Sequence, residues 1–207
     1  MYDPGVDAAD RAELERLIRE RFDAGDFAAA ATAAIRGYGP ELFGFLIGLA
    51  GDEQIASDAF AAFCADLWRD LPRFRWESTF RTWAYMIARH QLYRASRERG
   101  RRRREVTPSE SPEVAALAVQ IRTATLEHLR TETKDAFAEL RARLDPDDQM
   151  LLVLRVDKDL EWRDVARILN GDKAPAALDR DAAALRKRFE RVKGRLRDLA
   201  REAGLME

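Results

Sequence analysis

Eleven arginines fall between Leu71 and Arg104 against only Glu77 and Glu98, a local net charge of +9 in a chain whose formal total is −1. Phe74, Trp76, Phe80, Trp83, Tyr85 and Tyr93 are threaded through the same stretch, FRWESTFRTWAYMIARHQLYRASRERGRRRR. Guanidinium groups meet phosphates and rings stack on bases, so this combination suits single-stranded nucleic acid. A solvated helix face with core aromatics is the plainer reading, and it fits Phe80 and Trp83. It does not account for so lopsided an arginine excess.

Helical spacing sorts these side chains. Phe80, Trp83, Ala84, Ile87, Ala88 and Leu92 share one face and are expected in the core. Met86, Arg89, Tyr93 and Arg97 form a second stripe, with His90 and Arg94 beside it. Near the C-terminus, Leu178, Ala182, Leu185, Phe189, Val192, Leu196 and Leu199 make an apolar seam, and basic residues including Arg186, Lys187, Arg188 and Arg191 fill the other faces. The shorter helical stretch LEWRDVARIL precedes it across a turn-rich segment. Helix, turn and basic helix is the pattern that places a recognition helix in a DNA major groove. Heptad spacing leaves a short dimeric coiled coil open as the other explanation.

Other chemistry is thin. His90 and His128 are far apart, so zinc is not expected, and Cys64 in its alanine-rich stretch reads as buried filler. LDPDDQ offers three carboxylates, which a helix start explains as well as a metal does. No phosphate loop and no nucleophile–base pair is present, so neither a cofactor nor an enzymatic activity is expected.

The elements that must carry these residues are helical, because apolar residues recur at three and four rather than alternate. An all-α chain in two small domains is the expectation. Helices are expected over Asp7–Phe22, Ala28–Arg36, Glu41–Ala50, Glu53–Leu71 and from Ser78 or Thr79 to Gly100. GYGP is read as a breaker between the second and third of these. EVTPSESP reads as an acidic interdomain linker, and Val114–Leu144 as helical. Asp145 and Pro146 then start a helix ending near Val156, followed by Glu161–Leu169 and a last helix over Leu178–Ala203.

Charge follows the same divisions: −4 over 1–35, −4 over 36–70, +9 over 71–104, −5 over 105–148 and +3 over 149–207. Two basic segments flank an acidic one, which suits two contacts with one polyanion. Cys64 is the only cysteine, so no intramolecular disulfide can form. The acidic start has no apolar run, and LFGFLIGLAG is about half the ~20 residues of a bilayer span. A cytoplasmic protein without membrane insertion is expected.

ASDAFAAFCADLWRDLPRF followed by FRTWAYMIARHQLYRASR resembles region two of the extracytoplasmic-function sigma factors, within the sigma-70 family of bacterial initiation factors. The resemblance lies in Asp58, Trp68, Leu71, Pro72, Phe74, Phe80, Arg81, Trp83, Ile87, Ala88 and Arg97. LDPDDQMLLVLRVDKDLEWRDVARIL with LRKRFERVKGRLR resembles the helix-turn-helix of region four. The resulting organisation is an acidic helical extension over 1–35, a region-two domain over 36–104, a linker and leading helix over 105–132 and a region-four domain over 133–207.

The resemblance implies that Asp58, Ala61 and Ala62 meet the β′ coiled coil of core RNA polymerase. It further implies that the loop Arg73–Ser78 captures a flipped base of the promoter −10 element. Arg73, Arg75, Trp76, Arg89, His90, Tyr93, Arg94 and Arg97 would contact that strand, and unstacking a base costs a few kcal/mol that stacking must offset. The second domain would dock on the β flap and place Arg186, Lys187, Arg188 and Arg191 on the −35 element. Glu105, Glu110 and Glu113 would mimic nucleic acid in the polymerase cleft. Many such factors are held by an anti-sigma partner, which no residue here identifies.

Three positions depart from the family pattern. Ala61 stands where a glutamine is usual, His90 for an asparagine, and Arg94 for an aspartate. The turn after Leu169 also reads as longer than the family's. Two other readings stay open: a helix-turn-helix regulator that does not engage polymerase, and a sigma-like adaptor that does not open promoters.

Overall fold

A computed structural model describes residues 8–98, 111–131 and 136–205. Among them every regular element is helical. The arginine run Arg101–Arg104 and the linker acids Glu105 and Glu110 lie outside the described residues. The chain divides at Thr131 into two compact units.

The N-terminal unit holds α1 (Ala8–Asp23), α2 (Phe27–Ala50), α3 (Glu53–Asp70), a 3₁₀ turn (Leu71–Arg73), α4 (Phe80–Glu98) and α5 (Pro112–Thr131). Local side chains cap three of these helices. Asp26 accepts the Ala29 amide at 3.0 Å and Asp52 the Ile55 amide at 2.9 Å, which caps α2 and α3. Thr79 Oγ1 accepts the Thr82 amide at 3.1 Å at the head of α4. The core is aromatic: Tyr38, Phe43, Phe45, Phe60, Phe63, Phe80 and Tyr85 are all essentially fully buried.

GYGP does not break a helix; α2 runs through it with Pro40 inside. The glycines are there for close packing. A side chain at Gly39 would bring its first carbon to 2.6 Å from Ile121 Cδ1 of α5, and one at Gly37 would collide with Leu14 of α1. Pro40 cannot donate to the Arg36 carbonyl, but Arg36 is exposed, where water can take over. Helix α5 packs on α2 and α3, burying Val114, Ala118, Ile121 and Thr125.

The C-terminal unit holds α6 (Ala136–Arg141), α7 (Pro146–Leu152), a π-helical turn (Val153–Asp157), α8 (Trp162–Asn170) and α9 (Pro175–Glu202). Helix α9 begins three residues before Leu178, so the connection from α8 is only Gly171–Ala174, shorter than the sequence suggested. Pro175 suits the first helical position and alanines follow it. The apolar seam of α9 is covered within the unit. Leu178, Ala182, Leu185 and Val192 are buried, and Phe189, Leu196 and Leu199 pack around Leu144, Leu152 and Val192. No second copy is needed to explain its spacing.

Candidate nucleic-acid interface

Alternation along Arg73–Glu77 sets the loop. Arg73, Arg75 and Glu77 are exposed, while Phe74 is buried and Trp76 half-buried between them. Phe74 lies parallel to Trp83 with ring centroids 4.6 Å apart, touches Trp76 at 4.8 Å and meets Phe80 edge-on at 5.9 Å. The aromatic cluster thus carries the loop and keeps its arginines outward. Trp76 has φ 58°, the left-handed region that a bulky residue seldom enters.

Helix α1 closes the loop from the other side. Phe22 meets the Trp76 indole edge-on at 5.5 Å, and the Arg19 guanidinium lies 4.6 Å over the ring. Arg19 is itself held by both carboxylate oxygens of Asp23, at 3.0 and 2.8 Å. Glu15 reaches the head of α4, accepting the Phe80 amide at 2.9 Å and the Arg81 amide at 2.8 Å. The Tyr38 hydroxyl donates to the same carboxylate at 2.9 Å.

The exposed side of α4 carries the second group. Arg89 is half-buried, with its guanidinium 4.7 Å over the Tyr93 ring. His90, Arg94 and Arg97 are exposed, and Arg94 pairs with Glu98 at 3.1 Å. Arg89, Tyr93 and Arg97 follow one another at four-residue steps and so share a face. Such a row offers cations for phosphates with a ring between them.

Arg81 serves a different end. Both its Nε, at 3.1 Å, and an Nη donate to Glu41 Oε1, and the Tyr85 hydroxyl donates there at 2.6 Å. Glu41 and Arg81 are buried. Burial alone would lower the Arg81 pKa; the Glu41 charge beside it, the nearby Tyr85 and Tyr38 hydroxyls and the hydrogen bonds to Glu41 outweigh that, and the net direction is upward. Tyr85 is therefore core, whereas Trp83 and Ile87, expected fully inside, are only half-buried. One of the eleven arginines neutralises the interior rather than a ligand. The lone carboxylate heading the apolar run ELFGFLIGL was the sequence signal for this pair.

On α3, Asp58, Ala61 and Ala62 are all half-buried and stand beside the buried Ala59 and Phe63. Asp58 accepts from Gln54 at 2.7 Å. Cys64 is buried, and burial pushes its thiol pKa well up despite the opposing charge of Arg122.

In the C-terminal unit the four basic residues chosen on α9 do not share one environment. Lys187 and Arg191 are exposed. Arg186 is exposed and its guanidinium lies 5.7 Å from the Trp162 ring centroid. Arg188 turns inward, and its Nε donates to buried Asp148 at 2.6 Å. Arg195 reaches both Asp145 and Asp148 at 3.3 Å. Two of the three acids in LDPDDQ thus hold α9 to α7. Arg163 grips Asp179 through two hydrogen bonds, at 3.0 and 2.8 Å, and Lys173 bonds Asp181 at 2.7 Å, tying α8 and its turn to the start of α9. Both carboxyls are held below their usual range, Asp179 chiefly by the Arg163 hydrogen bonds and Asp181 by those from Lys173 and Asn170.

Glu113, the described member of the expected acidic trio, sits in the first turn of α5, where the Ser111 hydroxyl donates to it at 2.7 Å. No helix is long and apolar enough to cross a membrane among the described residues. Glu15 and Glu41 are the site-building residues that sequence reasoning missed.

No curated protein matches the chain. Residues 34–102, about a third of the chain, match the family described as Sigma-70 region 2, a stretch that runs from within α2 through α4. Over that stretch the chain is similar to region 2 of sigma-70 factors, a region associated with polymerase binding and promoter melting.

Proposed function

We propose that this protein is a sigma factor of the extracytoplasmic-function kind, cytoplasmic, which binds core RNA polymerase and opens a restricted set of promoters. The N-terminal unit engages the β′ coiled coil through the α3 surface around Asp58, Ala61 and Ala62. The loop Arg73–Ser78 and the α4 row of Arg89, His90, Tyr93, Arg94 and Arg97 take the −10 strand. The C-terminal unit docks on the β flap and presents α9 to the −35 duplex through Arg186, Lys187 and Arg191, with Arg188 divided between DNA and Asp148. An anti-sigma partner would act by covering these same surfaces.

The observation that carries this reading is the coincidence of the Sigma-70 region 2 match with the ring-backed arginine surface. The protein supplies binding and strand separation, since phosphate contacts position and stacked bases compensate for unpairing. The short α8–α9 connection and the basic α9 favour a second reading, a duplex-binding regulator that does not engage polymerase. Ala61, apolar where a polar contact is usual, is consistent with it and with a sigma-like adaptor.

Co-elution of the purified protein with bacterial core RNA polymerase, followed by opening of a fork-junction probe, separates the three. Co-elution with opening is expected. Co-elution without opening would leave the adaptor, and duplex binding without co-elution the regulator.

A further inference from the structure

Resting on the promoter-opening reading above, we propose that α1 presets the strand-capturing loop, with Glu15 as its positioning residue. Most of residues 1–35 precede the region 2 match, which begins at residue 34. Yet α1 meets the loop in its middle and just beyond its downstream end.

Just beyond the downstream end, the amides of Phe80 and Arg81 are among the four donors that a helix start leaves without partners. Glu15 satisfies both, one with each oxygen, at 2.9 and 2.8 Å. Its charge also lies at the positive end of the α4 dipole. Thr79 takes the next two amides, that of Thr82 on its hydroxyl and that of Trp83 on its carbonyl. The start of α4 is thus built from two helices, and its position depends on where α1 lies.

In the middle of the loop, Trp76 holds a left-handed backbone that its bulk disfavours. Such conformations persist where the surroundings over-determine them. Here Phe74 packs from within the loop, while Phe22 and Arg19 approach from α1. Arg73 and Arg75, the exposed cations of the loop, lie within three residues of Trp76. If Glu15 releases α4, the rings and cations lose their fixed relation. Glu15 therefore governs which base the loop accepts without touching it.

A merely structural Glu15 would alter stability and weaken all ligands alike. A positioning Glu15 alters preference. The test uses the full chain bound to core RNA polymerase and single-stranded −10 oligonucleotides that differ at one base. The measured quantity is the affinity ratio between the best and worst oligonucleotide. In Glu15→Ala this ratio is expected to fall about tenfold, the equilibrium equivalent of losing a capping interaction, while core binding is unchanged. Glu15→Gln, which keeps the length but only one acceptor, is expected to lie between and serves if Glu15→Ala does not fold. Amide exchange at Phe80 and Arg81 should quicken in both. An unchanged ratio in both variants overturns the inference, as does a uniform loss with the ratio intact. Wild-type protein that shows no base preference would sink the promoter reading itself, and the inference with it.

Discussion

The Glu15 carboxylate accepts the amide hydrogens of Phe80 and Arg81, 65 and 66 residues further along the chain. The same oxygen that bonds Arg81 also accepts from Tyr38 of α2. One side chain therefore ties α1, α2 and α4 together beside the loop that carries Arg73, Arg75 and Trp76. Helix α1 lies in the same compact unit as α2 to α5.

Breaking the buried Glu41–Arg81 pair should be costly. Glu41→Gln keeps the shape but leaves the Arg81 charge buried without its counter-ion, worth about 3–5 kcal/mol. The exposed Arg16–Glu20 pair on α1 should contribute little, because water screens it. Denaturant midpoints of Glu41→Gln and Glu20→Gln, compared in the full chain, check the contrast. Equal shifts would remove Glu41 from the core of the fold.

Alkali should loosen the N-terminal unit through Tyr38. Its pKa is pushed upward from the ordinary 10.0, first by burial, then by the Glu15 charge and the hydrogen bond to it. A folded-state value above the unfolded one gives stability that is complete below pH 10.0 and falls away as pH rises past it. Unfolding followed against pH should steepen above that point, and Tyr38→Phe should remove that part of the slope. A slope identical in the variant would assign the alkaline loss to other groups.

Arg188 and Arg191 should separate stability from DNA binding. Arg188→Ala leaves Asp148, nearly buried, with only the longer Arg195 contact, so the thermal midpoint of the C-terminal unit should drop. Arg191→Ala should leave that midpoint unchanged and weaken duplex binding. Binding to specific and random duplexes, measured beside melting curves, tests both. Unaltered stability in Arg188→Ala would free that residue for the DNA surface.

The α4 row should reveal itself through salt. If Arg89 and Arg97 each neutralise one phosphate, the double alanine variant should shallow the log–log salt slope for single-stranded DNA by about 1.4. Titration of a −10 oligonucleotide at several salt concentrations gives the slope. No change would remove the row from the strand path.

Ala61 should limit affinity for polymerase. It sits half-exposed beside Asp58 and Ala62. Ala61→Gln is expected to tighten binding to core RNA polymerase several-fold, the worth of about one net hydrogen bond. Unchanged affinity in a direct binding measurement would mean that other contacts have replaced the glutamine.

The sequence by itself determined the helical class, the placement of charge and the candidate surfaces. These follow from properties that a chain carries locally: apolar spacing at three and four, eleven arginines against two acids within one stretch, and a polar cap such as Thr79. Tertiary structure decided which members of a pattern face inward. Arg81 and Arg97 are both arginines on one helix, yet among the described residues only Arg81 lies opposite a carboxylate, that of Glu41, from α2. Gly37 and Gly39 read locally as breakers, but they are contact points for Leu14 and Ile121, residues that sequence distance hides. Arg188 looked like its neighbours until α7 brought Asp148 beneath it. Glu15 carried no signal at all, because capping the head of α4 requires a residue that only the folding of α1 onto α2 delivers. Local periodicity fixes elements; long-range contacts between them fix partners, and the partners assign each charged side chain to the core or to a ligand.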